Sequence, residues 1–176
     1  GKRSTNVIGR LTGDRVPGEA VVITAHWDHL GLCRPAGSPD RICNGAVDNA
    51  SGVALMIEVA RLLANGPRPA RTILFVATTG EEEGLIGARA FVAAPPVARE
   101  HIVAAINLDT VATAPAGAPV GIVGRGMTRL DPIIDGEARR LGRRIDGSRW
   151  ANRFVQRQDG WAFLEAGVPA VMVGGA

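Results

Sequence analysis

At 176 residues the chain is long enough for one domain with a sizeable core. A hydrophobic content of 46 % with charges of both signs excludes a disordered chain, and no apolar run approaches the ~20 residues of a bilayer span. The net charge of +3 comes from 20 Lys and Arg against 17 Asp and Glu; clusters such as "RRLGRR" (Arg139 to Arg144) read as a solvated helix face, so no nucleic-acid partner is expected.

Taken in order, β-rich apolar runs alternate with helical ones, the pattern of an α/β sandwich. Strands are predicted at Val7–Thr12 and Ala20–Ala25. Cys33 and Cys43 then flank a polar, turn-rich stretch. Such a pair suggests a disulfide and an oxidising, extracytoplasmic compartment, with two free thiols as the alternative. In Ser51–Ala64, residues Val53, Met56, Ile57, Ala60 and Leu63 form a helical apolar stripe, with Asn49 and Ser51 as candidate caps. A strand follows at Thr72–Thr78, a helix at Leu85–Ala93 and a strand at Ile102–Leu108. Ala112–Gly126, rich in Ala, Pro and Gly, reads as a loop. Helices at Arg129–Leu141 and Gly160–Ala166 and a strand at Ala170–Val173 complete the order.

Three of the predicted strands end in metal-binding side chains. "AVVITAHWDHLG" ends in His26, followed by Asp28 and His29; "TILFVATTGEEEG" ends in Glu81, Glu82 and Glu83; "IVAAINLDT" ends in Asp109. In open α/β sheets, ligands gather at the carboxyl ends of the strands. "GAVDNASG" adds Asp48 from a glycine-flanked turn before a helix. Imidazole with several carboxylates suits Zn, Mn or Fe in a hydrolytic site. Two ions roughly 3.5–4 Å apart need a shared ligand, which a carboxylate provides. In His-x-Asp the acid can hold the imidazole N–H that faces away from the metal. Each acid alone has a plainer reading as a cap or solvated corner, but their joint arrival at strand ends favours metal. His29 and His101 are set aside, His101 as a surface residue at a strand entrance.

"AHWDHLG", "GAVDNASG", "FVATTGEEEGLIGARAF", "AAINLD" and "GVPAVMVG" stand in the order and spacing of the M28 family of zinc aminopeptidases, which the chain resembles over most of Val7–Gly174. The resemblance implies a three-layer α/β/α sandwich around a mixed, mostly parallel sheet, and a site for two Zn2+ ions. Carried over residue by residue, it makes His26 a ligand of the first ion, with Asp28 as the carboxylate behind it. Asp48 bridges both ions, Asp109 completes the first, Glu82 holds the second, and Glu81 is the general base. Glu83 is a bystander. The implied reaction removes an N-terminal residue from a peptide by metal-activated water. Two other readings are a metal-deficient relative acting as a binding domain, and a zinc amidohydrolase or cyclase on the same scaffold.

The chain departs from the family in two places. No residue matches the histidine ligand expected after the "GVPA" strand, since the sequence ends at Ala176. The expectation is therefore a single catalytic domain over residues 1–176 without its C-terminal segment, and a second ion one ligand short. Where relatives read Ser-Asp-His, this chain has "RQDGWAF": Asp159 matches the acid and Gly160 replaces the histidine.

Overall fold

A computed structural model describes residues 3–111 and 113–174; Ala112 of the predicted loop and the terminal Ala176 lie outside them. In chain order the main elements are β1 (Val7–Leu11), β2 (Val16–His26), β3 (Gly31–Leu32), β4 (Ile42–Cys43), α1 (Gly52–Asn65), β5 (Arg71–Thr78) and α2 (Ile86–Ala93). They are followed by β6 (Ile102–Leu108), β7 (Gly121–Val123), α3 (Asp131–Arg140), α4 (Gly160–Glu165) and β8 (Ala170–Gly174).

The apolar runs of β2, β5, β6 and β8 have no polar face, so each must be covered on both sides. They become the four parallel central strands of a six-stranded sheet with order β1-β5-β2-β6-β8-β7. The edge strands β1 and β7 pair antiparallel to β5 and β8. Alternation along each strand divides the core in two. Ala20, Val22, Leu74, Val76 and Ala105 pack against Ala88, Phe91 and Val92 of α2 and Ala162 and Phe163 of α4. Ile23, Ala25, Ile73 and Leu108 pack against Met56 and Val53 of α1 on the opposite face. The result is a three-layer α/β/α sandwich around a mixed, mostly parallel sheet.

Two features differ from the sequence expectation. The predicted loop after residue 111 contains β7, because Gly121–Val123 is a short buried run that caps the open edge of β8. The polar stretch between the cysteines, read only as turn-rich, is framed by a hairpin of β3 and β4, while Cys33 and Cys43 are joined as expected, with their Cα atoms 5.8 Å apart. Among the described residues, no helix is long and apolar enough to cross a membrane.

Candidate metal centre

The parallel register carries His26 of β2 beside Thr78 of β5, and Thr24 beside Asn107 of β6. The residues that follow these strands, Glu81, Glu82 and Asp109, therefore emerge on the same sheet edge as His26. Asp48 reaches that edge from the turn before α1, whose Asp48–Asn49 peptide is cis.

Asn49 ties this turn to the sheet. Its Nδ2 donates to the carbonyl of Leu108 at 2.9 Å, and its Oδ1 accepts from the Gly52 and Thr110 amides at 3.0 and 3.3 Å. Asn49 thus caps α1 as predicted, and also binds the turn to the residues flanking Asp109. Ser51 is no such cap: its Oγ donates to the Val47 carbonyl and accepts from the Val111 amide. The approach is so close that a Cβ on Gly52 would lie 2.3 Å from the Leu108 carbonyl oxygen.

Two clusters result. His26 Nε2 lies 3.1 Å from Asp48 Oδ1 and 3.7 Å from Asp109 Oδ1. His29 Nδ1 lies 2.6 Å from Glu82 Oε1, and His29, Glu82 and Asp48 each offer one ligand atom within 4.8 Å of the others. Asp48 belongs to both sets. His26 Nε2, Asp109 Oδ1, His29 Nδ1 and Glu82 Oε1 are all buried and lack a hydrogen-bond partner. Buried polar atoms are almost always paired, so four unpaired atoms converging on two points mark places for a bound group. Imidazoles with carboxylates and no thiolate are the donor set of a hydrolytic zinc site, and the residues fit zinc.

Electrostatics point the same way. Burial disfavours a charge on His26, but Asp109, with the charges of Glu81 and Asp159, outweighs it and raises the imidazole to about 9. Asp48 is nearer, yet its side chain is 44 % exposed against 9 % for Asp109, so water screens it more. Burial raises Glu81 to about 8, opposed by His26 and reinforced by Asp159, Asp109 and Glu82. Without metal, protons occupy a site with surplus negative charge. Divalent cations would discharge it.

Asp28 departs from the sequence expectation. Its backbone carbonyl, not its carboxylate, takes the His26 Nδ1–H, at 3.1 Å; the carboxylate is 3.8 Å away. Asp28 Oδ1 instead accepts the Glu81 backbone N–H at 3.3 Å. The carboxylate anchors the glutamate loop, and the carbonyl is what meets the imidazole. Glu81 and Glu82 are partly buried at the site, while Glu83 faces solvent, as does His101 at the entrance of β6.

A model of the family described as Peptidase family M28 matches residues 6–175. The chain belongs to peptidase family M28. It is 37 % identical over 112 residues to a probable zinc metalloprotease of Pyrenophora teres f. teres, covering 64 % of this chain and 23 % of that one. A probable zinc metalloprotease of Leptosphaeria maculans is 28 % identical over 200 residues, covering 96 % of this chain and 46 % of the relative. The M28 chain thus spans less than half the length of either relative. Its fold is similar to that of BSAP, a zinc aminopeptidase from Bacillus subtilis (TM-score 0.73, 25 % identity, 96 % of this chain and 39 % of that one). It also resembles a glutaminyl cyclase from an Acidobacteriales bacterium (TM-score 0.75, 20 % identity, 97 % of this chain and 58 % of that one).

Two residues of the M28 chain stand out that sequence patterns did not assign to the centre. His29 was set aside because it follows the His26 turn, yet that turn carries it across to Asp48 and Glu82. The signal was there in His-x-Asp-His: the strand ends at His26, so alternation no longer governs where the second imidazole points. Asp159, the acid matched to the Ser-Asp-His stretch, is fully buried and accepts a hydrogen bond from Thr78 Oγ1. Burial raises its carboxyl to about 6 against that bond and the charge of His26. It is a support beneath the end of β5.

Proposed function

We propose that this chain is the catalytic core of a zinc aminopeptidase with two ions sharing Asp48. The observation that carries the reading is that shared carboxylate, with His26 and Asp109 on one side and Glu82 on the other. His26, Asp48 and Asp109 would hold the first ion, and Asp48 with Glu82 the second. Zinc bound there supplies Lewis acidity toward a peptide carbonyl and toward water.

The protein's own part is to hold these donors rigidly and to move a proton. Glu81 is the general base, accepting a proton from water and returning it to the departing amine. Its partial burial and the neighbouring carboxylates raise its affinity for a proton toward the neutral range, and bound cations lower it from there. Asp28 fixes the loop through the Glu81 amide, so the carboxyl swings about an anchored backbone. His26 is oriented by the Asp28 carbonyl, which directs Nε2 into the site. The substrate is a peptide with a free amino terminus. The likeness to BSAP supports the aminopeptidase reading, and the disulfide supports a compartment outside the cytoplasm.

The glutaminyl cyclase likeness concerns the fold and leaves a cyclase as the second reading. Zinc-loaded protein assayed on aminoacyl-anilides, amino-blocked anilides and glutaminyl peptides separates the two. We expect release from free aminoacyl-anilides, none from blocked ones, and no cyclised product. Ring closure of glutaminyl peptides without anilide cleavage would reverse the assignment.

A further inference from the structure

The second cluster contains more than the resemblance assigns to it. We propose that His29 holds the second ion through Nδ1, beside Asp48 and Glu82, so that this chain provides three donors at each position. The proposal rests on the two-ion reading above.

Its geometry is unlike that of a plain ion pair. His29 Nδ1 and Glu82 Oε1 are only 2.6 Å apart, yet both are buried and neither makes a hydrogen bond. Asp48 also brings a ligand atom here, so that His29, Asp48 and Glu82 each offer one ligand atom within 4.8 Å of the others. Two donors with a third carboxylate at the same point are what a tetrahedral ion needs, with one position left open.

The surrounding chain fixes His29 there. The Trp27 amide donates to the Thr78 carbonyl at 2.9 Å, extending the ladder one residue past His26. Asp28 is held on both its backbone carbonyl and its carboxylate. His29 therefore leaves an anchored dipeptide. From the other side Gly45, at φ 69°, lies against it: a Cβ there would be 2.8 Å from His29 Cβ. Gly45 stands three residues before Asp48, so this contact sets the imidazole against the shared carboxylate. The arms leaving His29 and reaching Gly45 form the β3–β4 hairpin, closed by the Cys33–Cys43 disulfide. That staple limits how far His29 and Asp48 can separate.

The test is zinc binding to the metal-free 176-residue chain, read by titration calorimetry and elemental analysis, for wild type, H29N and the surface control H101N. We expect two zinc per chain in wild type and H101N, and one in H29N. The affinity for the second ion should fall by more than the ~10–100-fold typical of losing a ligand's outer hydrogen-bond partner. Because H29N could fold poorly, the wild type is also followed by 15N NMR of its three histidines. The His29 Nδ1 resonance should move to its metal-bound position with the second equivalent, after His26 Nε2. Two zinc in folded H29N at unchanged affinity, or a His29 Nδ1 resonance unmoved at two equivalents, would overturn the His29 assignment alone. One zinc or none in wild type would overturn it together with the two-ion reading.

Discussion

Glu81 and His26 are the residues whose chemistry is most altered by their neighbours. In the proposed reaction Glu81→Gln keeps the side-chain shape but cannot accept a proton. We predict that zinc content is unchanged and kcat falls ~10²–10⁴-fold, the usual cost of removing a general base. An unchanged kcat in zinc-replete protein would move the base elsewhere. His26 must shed a proton before Nε2 can bind an ion, and its imidazole is raised to about 9 in the metal-free protein. Below that value each zinc at the first position displaces this proton. Apparent affinity should therefore weaken about tenfold per unit as pH falls below 9, and more steeply below about 8, where Glu81 also holds a proton that bound cations displace. Calorimetry in buffers of different ionisation enthalpy checks the proton release; pH-independent affinity would contradict it.

Between elements, the centre depends on how closely α1 and its preceding turn approach β6. Gly52→Ala would set a methyl 2.3 Å from the Leu108 carbonyl and the Asn49 side chain, so the turn carrying Asp48 must shift. We expect a stability loss of about 1–3 kcal/mol or more with weaker zinc binding, measured by denaturant unfolding and calorimetry. The hairpin disulfide joins residues ten apart. By the chain-entropy relation it contributes ~2.5–3 kcal/mol, so C33S/C43S should unfold at lower denaturant. Free thiols titrating in protein purified without reductant would remove the bond.

Elements with a strong period were legible from sequence. β6 matches its predicted bounds, and α1, α2 and α4 lie within a residue of theirs, because apolar stripes and glycine stops are local signals. β2 extends further at both ends than its apolar run, since its first residues need only the ladder with β5 and its last is the polar His26. β7 was missed because three residues in a Gly-rich stretch become a strand only when β8 offers an open edge. Side-chain direction was the least legible. Asp28 and His29 follow the last strand residue, and where they point depends on the Thr78 carbonyl, the Glu81 amide and Gly45, all remote in sequence.

For the whole molecule, four parallel strands and two crossover faces bring His26, Asp48, Glu82 and Asp109, spread over 83 positions, to one sheet edge. Membership of family M28 accounts for the order in which those donors occur, and the physical account of the centre turns on Asp48. A carboxylate shared by two ions does more than one serving a single ion, because its removal both deletes a ligand and leaves two cations repelling. The most direct measurement is zinc stoichiometry by elemental analysis of folded wild type, D48A and E82A after equilibration at one free zinc concentration. The prediction is two ions in wild type, one in E82A, and close to none in D48A. Equal losses in the two variants, or two ions retained in D48A, would contradict a centre built around a shared Asp48.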